Sequence, residues 1–243
     1  MDFLRNPLTA TEANFILNAL PSSRRKTYLD LANEHSRNSQ EINLLAATLY
    51  VWNGYVASAV DRATGEVEIM LRNLIDKSFS TWNSAYPRSG STEWILHPEG
   101  VLKDLVWPSG QKKLQHYADI RKESTAPTHD DYVAGLTFGN WVHLLPRNHA
   151  TDRNSRVILW KEAIEPNTSA MNMRSFQSAA MQVKNMRNRA THRRPIIKDI
   201  NLLQSTHGNC IEIAKAIDPA VGTWLRNQRW IPDALAKNPL KNK

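Results

Sequence analysis

The chain has 243 residues, 41% hydrophobic and 22% charged, a usage typical of globular proteins that excludes a disordered or fibrous chain. Its 31 Lys and Arg against 23 Asp and Glu leave a formal charge of +8, which favours a polyanionic partner, because cations that neutralise phosphates release condensed counterions. The single cysteine, Cys210, excludes an internal disulfide and is expected to pack as a small apolar residue, and no segment offers the roughly 18 apolar residues of a membrane span. With Asp2 near the start and no unbroken apolar run after it, the expected location is the cytoplasm, away from any membrane.

Helical periodicity dominates, and no stretch alternates long enough to propose a strand. "TATEANFILNAL" and, after Pro21, "SSRRKTYLDLANEH" read as two short helices, each opened by a Ser or Thr suited to capping. From Ser39 to Trp82, Leu45, Leu49, Trp52, Val56 and Val60 and then Val67, Met70, Leu71, Leu74 and Ile75 recur at helical spacing, predicting two long helices hinged around Gly65. Residues 86–108 are richer in Pro, Gly and Ser and read as an elaborated loop packed by Trp94 and Trp107. "SGQKKLQHYADIRKE" reads as a helix opened at Ser109, "HDDYVAGLTFGNWVHLL" as one helix closed by Pro146, and a shorter helix covers residues 155–164.

The next helix, from about Ser169, places Phe176, Ala180, Val183, Arg187 and Ala190 on one face, so Arg187 falls where an apolar residue belongs. Pro195 ends it. Another helix runs from about Asp199 to Ile217, "PAVGTWLRNQR" forms a last short one, and "ALAKNPLKNK" reads as a frayed tail. The sum is an all-α chain of one domain, with residues 1–38 as a helical N-terminal extension and 235–243 as a basic tail.

The end of the helix that carries Arg187 is the most unusual stretch. "MRNRATHRRPII", residues 186–197, packs four arginines and a histidine into twelve residues with no acid. Arg187, Asn188 and His192 are the candidate site residues, and Lys184, Arg189, Arg193, Arg194 and Lys198 form a cationic cluster around them. The Arg187–His192 spacing alone carries little, since 18 arginines and 8 histidines produce it on the order of 0.6 times by chance. Basic residues at a helix C-terminus are also favoured by the macrodipole without any further role. A five-residue step turns about 140° beyond a full circle, so convergence of the two side chains requires the helix to unwind before Pro195 or a second copy to contribute.

Other candidates are weaker. Glu68 and Arg72, four apart, read first as an intrahelical ion pair. His143, His149 and Asp152 match no metal-ligand spacing, nor do His207 and Cys210, and no Walker-type lysine motif appears, so neither a metal nor a nucleotide cofactor is expected. Trp52, Phe138 and Trp141 fall on apolar faces and read as core.

The stretch at 186–197 resembles the Arg-x4-His signature of the HEPN superfamily, and its surroundings resemble the Abi-like, abortive-infection branch. "LYVWNGYVASAVDRATGEVEIMLRNLIDKSF" and "VAGLTFGNWVHLL" are similar to two further segments of that family. One departure is that members commonly continue with His-Glu-Pro after the signature histidine, where this chain has Arg193, Arg194 and Pro195. The resemblance implies a HEPN-like multi-helix bundle and a metal-independent endoribonuclease, a toxin or antiviral effector. Its composite site would lie where two protomers meet, with Glu68, Arg72 and Asn73 supporting it from behind. It also implies restraint by a cognate non-coding RNA or an antitoxin protein. The alternative is a helical dimer that holds a structured RNA without cutting it, which the Arg193–Arg194 departure favours. A sequence-specific DNA-binding regulator ranks last, because no convincing helix-turn-helix pattern is present.

Overall fold

The computed structural model describes residues 3–36, 38–87, 90–118, 126–169 and 171–242. Among these residues every regular element is helical: α1 (Ala10–Ala19), α2 (Ser22–Asn33), α3 (Ser39–Ser84), α4 (Leu102–Val106), α5 (Lys113–Tyr117), α6 (His129–Gly135), α7 (Phe138–Leu144), α8 (Ser155–Leu159), α9 (Met173–Thr191), α10 (Ile200–Ile217), α11 (Pro219–Gln228) and α12 (Trp230–Ala236). The all-α expectation therefore holds. No helix among the described residues is long and apolar enough to cross a membrane.

The longest element corrects the sequence reading. α3 is one 46-residue helix with no hinge at Gly65. Leu45, Leu49, Trp52, Val56, Val60, Ala63, Val67, Leu71 and Leu74 are all buried, and these eight steps cover 29 residues, a mean of about 3.6 per turn. The apolar stripe passes Gly65 without a change of phase, so its burial outweighs the roughly 1 kcal/mol that one interior glycine costs.

The chain divides into two compact units: Met1–Ala63, Asn185–Gly208 and Gln228–Lys243 form unit 1, and Thr64–Lys184 with Asn209–Asn227 form unit 2. The core of unit 1 joins Ala13 and Leu17 of α1, Tyr28 and Ala32 of α2, the α3 stripe from Leu45 to Ala63, Met186 and Ala190 of α9, Ile196, Ile197 and Leu203, and Ile231, Ala234 and Leu235 of α12. α1 opens with a full capping box, in which Thr9 and Glu12 bond each other's backbone. α2 has Pro21 before it and no side-chain cap, contrary to the expected Ser cap. The supposed frayed tail contributes α12, whose Ala234 carbonyl accepts a hydrogen bond from Trp52 Nε1 at 3.0 Å.

In unit 2 the aromatics supply the core. Phe79 and Trp94 meet edge to face at 5.2 Å, Trp160 and Phe176 lie 5.2 Å apart, and Trp141 is fully buried. Asp76 Oδ1 accepts from Trp94 Nε1 and also contacts His129 Nε2, each at 2.9 Å. The segment read as an elaborated loop does pack by Trp94 but also contains α4, and buried Asn83 ties it down with bonds to the Ser91 and His97 carbonyls and the Glu99 amide. Residues 88–89 of it lie outside the described residues.

The run expected as one helix from His129 to Leu145 is two. A second capping box, Thr137 with Asn140, starts α7 afresh. Ser109 does not open a helix; it sits in a short 3-10 turn at φ 56°, and α5 is confined to five residues. Residues 119–123 of that expected helix lie outside the described residues. α8 continues into a π turn over Trp160–Ile164, as the reading of 155–164 anticipated in extent.

A Cβ at Gly65 would meet nothing within 4 Å. Gly65→Ala is therefore expected to raise the unfolding free energy by about 0.5–1 kcal/mol in urea titrations, and a loss of stability would show that the helix needs glycine there.

Candidate nucleic-acid interface

α9 is amphipathic because Phe176, Ala180, Val183, Met186 and Ala190 are buried, and Arg187 lies half-buried on the same stripe. The helix keeps its hydrogen bonding through the histidine: the His192 amide donates to the Asn188 carbonyl at 3.2 Å. It does not unwind between Arg187 and His192, so the 140° offset stands and one copy of α9 does not present both side chains on a single face.

The helix ends in a Schellman turn. The Arg193 amide donates to the Ala190 carbonyl at 2.8 Å, the Arg194 amide to the Arg189 carbonyl at 2.9 Å, and Arg193 adopts φ 51°. Glycine usually fills that position, since a Cβ in left-handed backbone costs about 1–2 kcal/mol. The termination expected of Pro195 thus begins two residues earlier, at a strained arginine, and His192 is the capping residue.

What holds this turn is Asn53 on α3, 1% exposed. Its Oδ1 accepts from the Ile196 and Ile197 amides at 2.9 and 3.3 Å, and its Nδ2 donates to the Arg194 carbonyl at 3.1 Å. Ile196 and Ile197 anchor the turn in the core below. Thr191 Oγ1 donates to Asp61 at 3.0 Å, and Arg193 Nη1 donates to the Gly54 carbonyl at 3.3 Å. A Cβ on Gly54 would lie 2.8 Å from that nitrogen, so the glycine makes room for the guanidinium.

His192, Arg193, Arg194 and Lys198 are exposed, as is Asn188, while Lys184, Arg187 and Arg189 are half-buried. Unit 1 carries 15 of the 31 Lys and Arg but only 8 of the 23 Asp and Glu, so seven of the eight net positive charges fall in it. Glu68, Arg72 and Asn73 belong to unit 2, whereas Arg187, Asn188 and His192 belong to unit 1. Arg72 Nε is buried without a hydrogen-bond partner among the described residues, so the anticipated Glu68 pair does not engage that atom.

Sequence reasoning missed a groove on unit 1. Tyr55, Ser58, Arg62, Trp230 and Lys237 line a depression of about 640 Å³. It adjoins a second of about 370 Å³ that shares Tyr55 and Ser58 and adds Phe3, Tyr50, Gly54 and Arg193. The Arg62 guanidinium stacks 4.3 Å over Trp230, and Lys237 Nζ lies 5.4 Å over Tyr55. Aromatic faces interleaved with cations suit unpaired bases and their phosphates. Tyr55, Ser58 and Arg62 were legible as an i, i+3, i+7 face of α3, but nothing in the sequence pairs them with Trp230 and Lys237.

Elsewhere, burial pushes the Cys210 thiol up to about 12, which makes it an inert core group. No cluster of three His, Cys, Asp or Glu able to hold a metal occurs among the described residues.

No protein-family model, curated protein or solved structure matches this chain.

Asn53→Ala leaves two buried amides without an acceptor and is expected to cost about 2–4 kcal/mol in denaturant unfolding. Arg193→Gly relieves the left-handed strain and should instead stabilise by about 1 kcal/mol. Loss of stability in the glycine variant would assign the Arg193–Gly54 bond more weight than the backbone strain.

Proposed function

We propose that the chain is a metal-independent endoribonuclease of the HEPN type that acts as a toxin or abortive-infection effector. The observation that carries this reading is the end of α9: an arginine on a buried stripe, an exposed histidine as the helix cap, and a pinned, cation-rich turn beyond it. Because α9 stays helical through His192, the reading draws the arginine and histidine of one site from two protomers, and the chain acts as a homodimer.

The chemistry suits these side chains. His192 takes the proton of a ribose 2′-hydroxyl, and the 2′-oxygen attacks the adjacent phosphorus. The bond to the 5′-oxygen breaks, that oxygen receives a proton from the second protomer's His192 or from water, and a 2′,3′-cyclic phosphate and a 5′-hydroxyl remain. Arg187 holds the phosphate and stabilises the charge that builds on it, and Asn188 orients the phosphate by hydrogen bonding. Lys184, Arg189, Arg193, Arg194 and Lys198 bind the flanking backbone. No cofactor is required. A cognate non-coding RNA or an antitoxin protein restrains the enzyme in its host.

The second reading is a helical dimer that holds a structured non-coding RNA without cutting it. It is favoured by the Arg193–Arg194 step and by the groove of Tyr55, Arg62, Trp230 and Lys237, where aromatic faces lie beside cations.

Wild type incubated with cellular RNA in EDTA should generate fragments ending in cyclic phosphate, and Arg187→Ala or His192→Ala should each slow cleavage by about 10²-fold or more. Cutting of a DNA strand, which lacks the 2′-hydroxyl, would sink this mechanism. Tight binding of RNA that stays intact would select the second reading.

A further inference from the structure

Unit 2 contains a cationic recess that the proposed ribonuclease chemistry does not use. It encloses about 340 Å³ and is lined by Lys113, His143, Arg147 and Arg156, with Tyr117 and Leu144 among its apolar walls. Local structure aims the guanidinium of Arg156. Asn154 Oδ1 accepts from the Arg156 amide at 3.0 Å and starts α8, and Arg156 Nε then donates to the His143 carbonyl at 2.6 Å, at the end of α7. That bond leaves the terminal nitrogens of the fork for another acceptor.

The charges here are poorly balanced. Among the described residues Asp104 is the one carboxylate in the lining, and it accepts from Ser155 Oγ at 2.6 Å. Among the described residues no ion pair neutralises Arg147, Arg156 or Lys184. The groups feel one another: burial, then Lys184, Arg147 and Arg156, hold the His143 imidazole below its usual range, and burial and Arg147 act in the same sense on Arg156. Three cations gathered around one concavity, with a single acid among the described lining residues, repel one another until an anion enters.

We propose that this recess binds a phosphomonoester, with Arg147 and Arg156 gripping its oxygens and Tyr117 and Leu144 offering an apolar wall to the attached nucleoside. The planar guanidinium fork matches phosphate oxygens, which a lysine-only patch would not do. The same chemistry is presented by a free mononucleotide and by the 5′-phosphate end of an RNA. The 5′-hydroxyl that the proposed cleavage leaves would not fill it, so the recess separates RNA that still carries its 5′-phosphate from the products of that reaction.

The test uses the His192→Ala chain, so that cutting does not intervene, and follows binding of AMP, adenosine, and a short RNA with either a 5′-phosphate or a 5′-hydroxyl by calorimetry. The expected result is binding of AMP, of the 5′-phosphorylated RNA or of both at least tenfold tighter than of the form lacking the phosphate. Arg147→Gln and Arg156→Gln should each abolish that preference, and the His143 ring resonances should shift with the phosphorylated probe. Binding of AMP assigns the recess to free nucleotides, and binding of the phosphorylated RNA alone assigns it to an RNA end. Equal affinity for the 5′-phosphate and 5′-hydroxyl forms, or an unchanged preference in Arg147→Gln, overturns the proposal. Should Arg156→Gln fail to fold, the exposed Arg147 carries the test alone. RNA cleavage by wild type is scored separately, so loss of the phosphate preference leaves the ribonuclease reading standing, and the reverse also holds.

Discussion

One buried amide decides where α9 stops. Asn53 receives two backbone N–H groups from the segment after the helix and gives one hydrogen bond to it, all at a position 1% exposed. Unpaired, those groups would each carry a desolvation penalty, so the chain has little choice about its path from Arg194 to Ile197. The left-handed Arg193 follows from that path: the turn is imposed from both sides, by helix bonds behind it and by Asn53 ahead. Side chains on such a turn keep their positions better than they would on an open loop, which is what phosphate recognition demands.

Much of this fold was visible in the residue pattern, and the failures share a cause. The stripe from Leu45 to Leu74 declared a helix, but Gly65 was granted a hinge that the unbroken phase of the stripe denies it. The split between α6 and α7 came from Thr137 and Asn140, a capping box embedded in an apolar run where periodicity speaks more loudly than caps. Lys237 was assigned to a frayed end and Trp230 to no element at all, although Ala234 and Leu235 carry enough apolar surface to dock the segment. In each case a local preference worth about 1 kcal/mol was weighed against tertiary burial that one stretch of sequence cannot display.

The candidate site divides in the same way. Arg187 stood out because it interrupts an apolar face, and the cations around it were contiguous in sequence. Asn53 was noticed only inside a motif, since an asparagine's partners 141 and more residues away leave no trace in spacing. Arg193 as a left-handed cap defies the usual preference for glycine, and only the geometry reveals it. The recess at His143 combines residues from α5, α7 and α8, none of them unusual alone.

The uneven charge of the two units reaches beyond recognition. Seven unbalanced positive charges in unit 1 push against one another in the folded state more than in the expanded one, so this unit carries an internal pressure that salt relaxes. A polyanion that binds the folded form relieves the same pressure and adds its binding free energy to the folding equilibrium. Under the proposed function, nucleic acid would act on unit 1 as a folding partner, tightening the scaffold that holds Asn53 and its turn at the moment the cations on that turn are engaged.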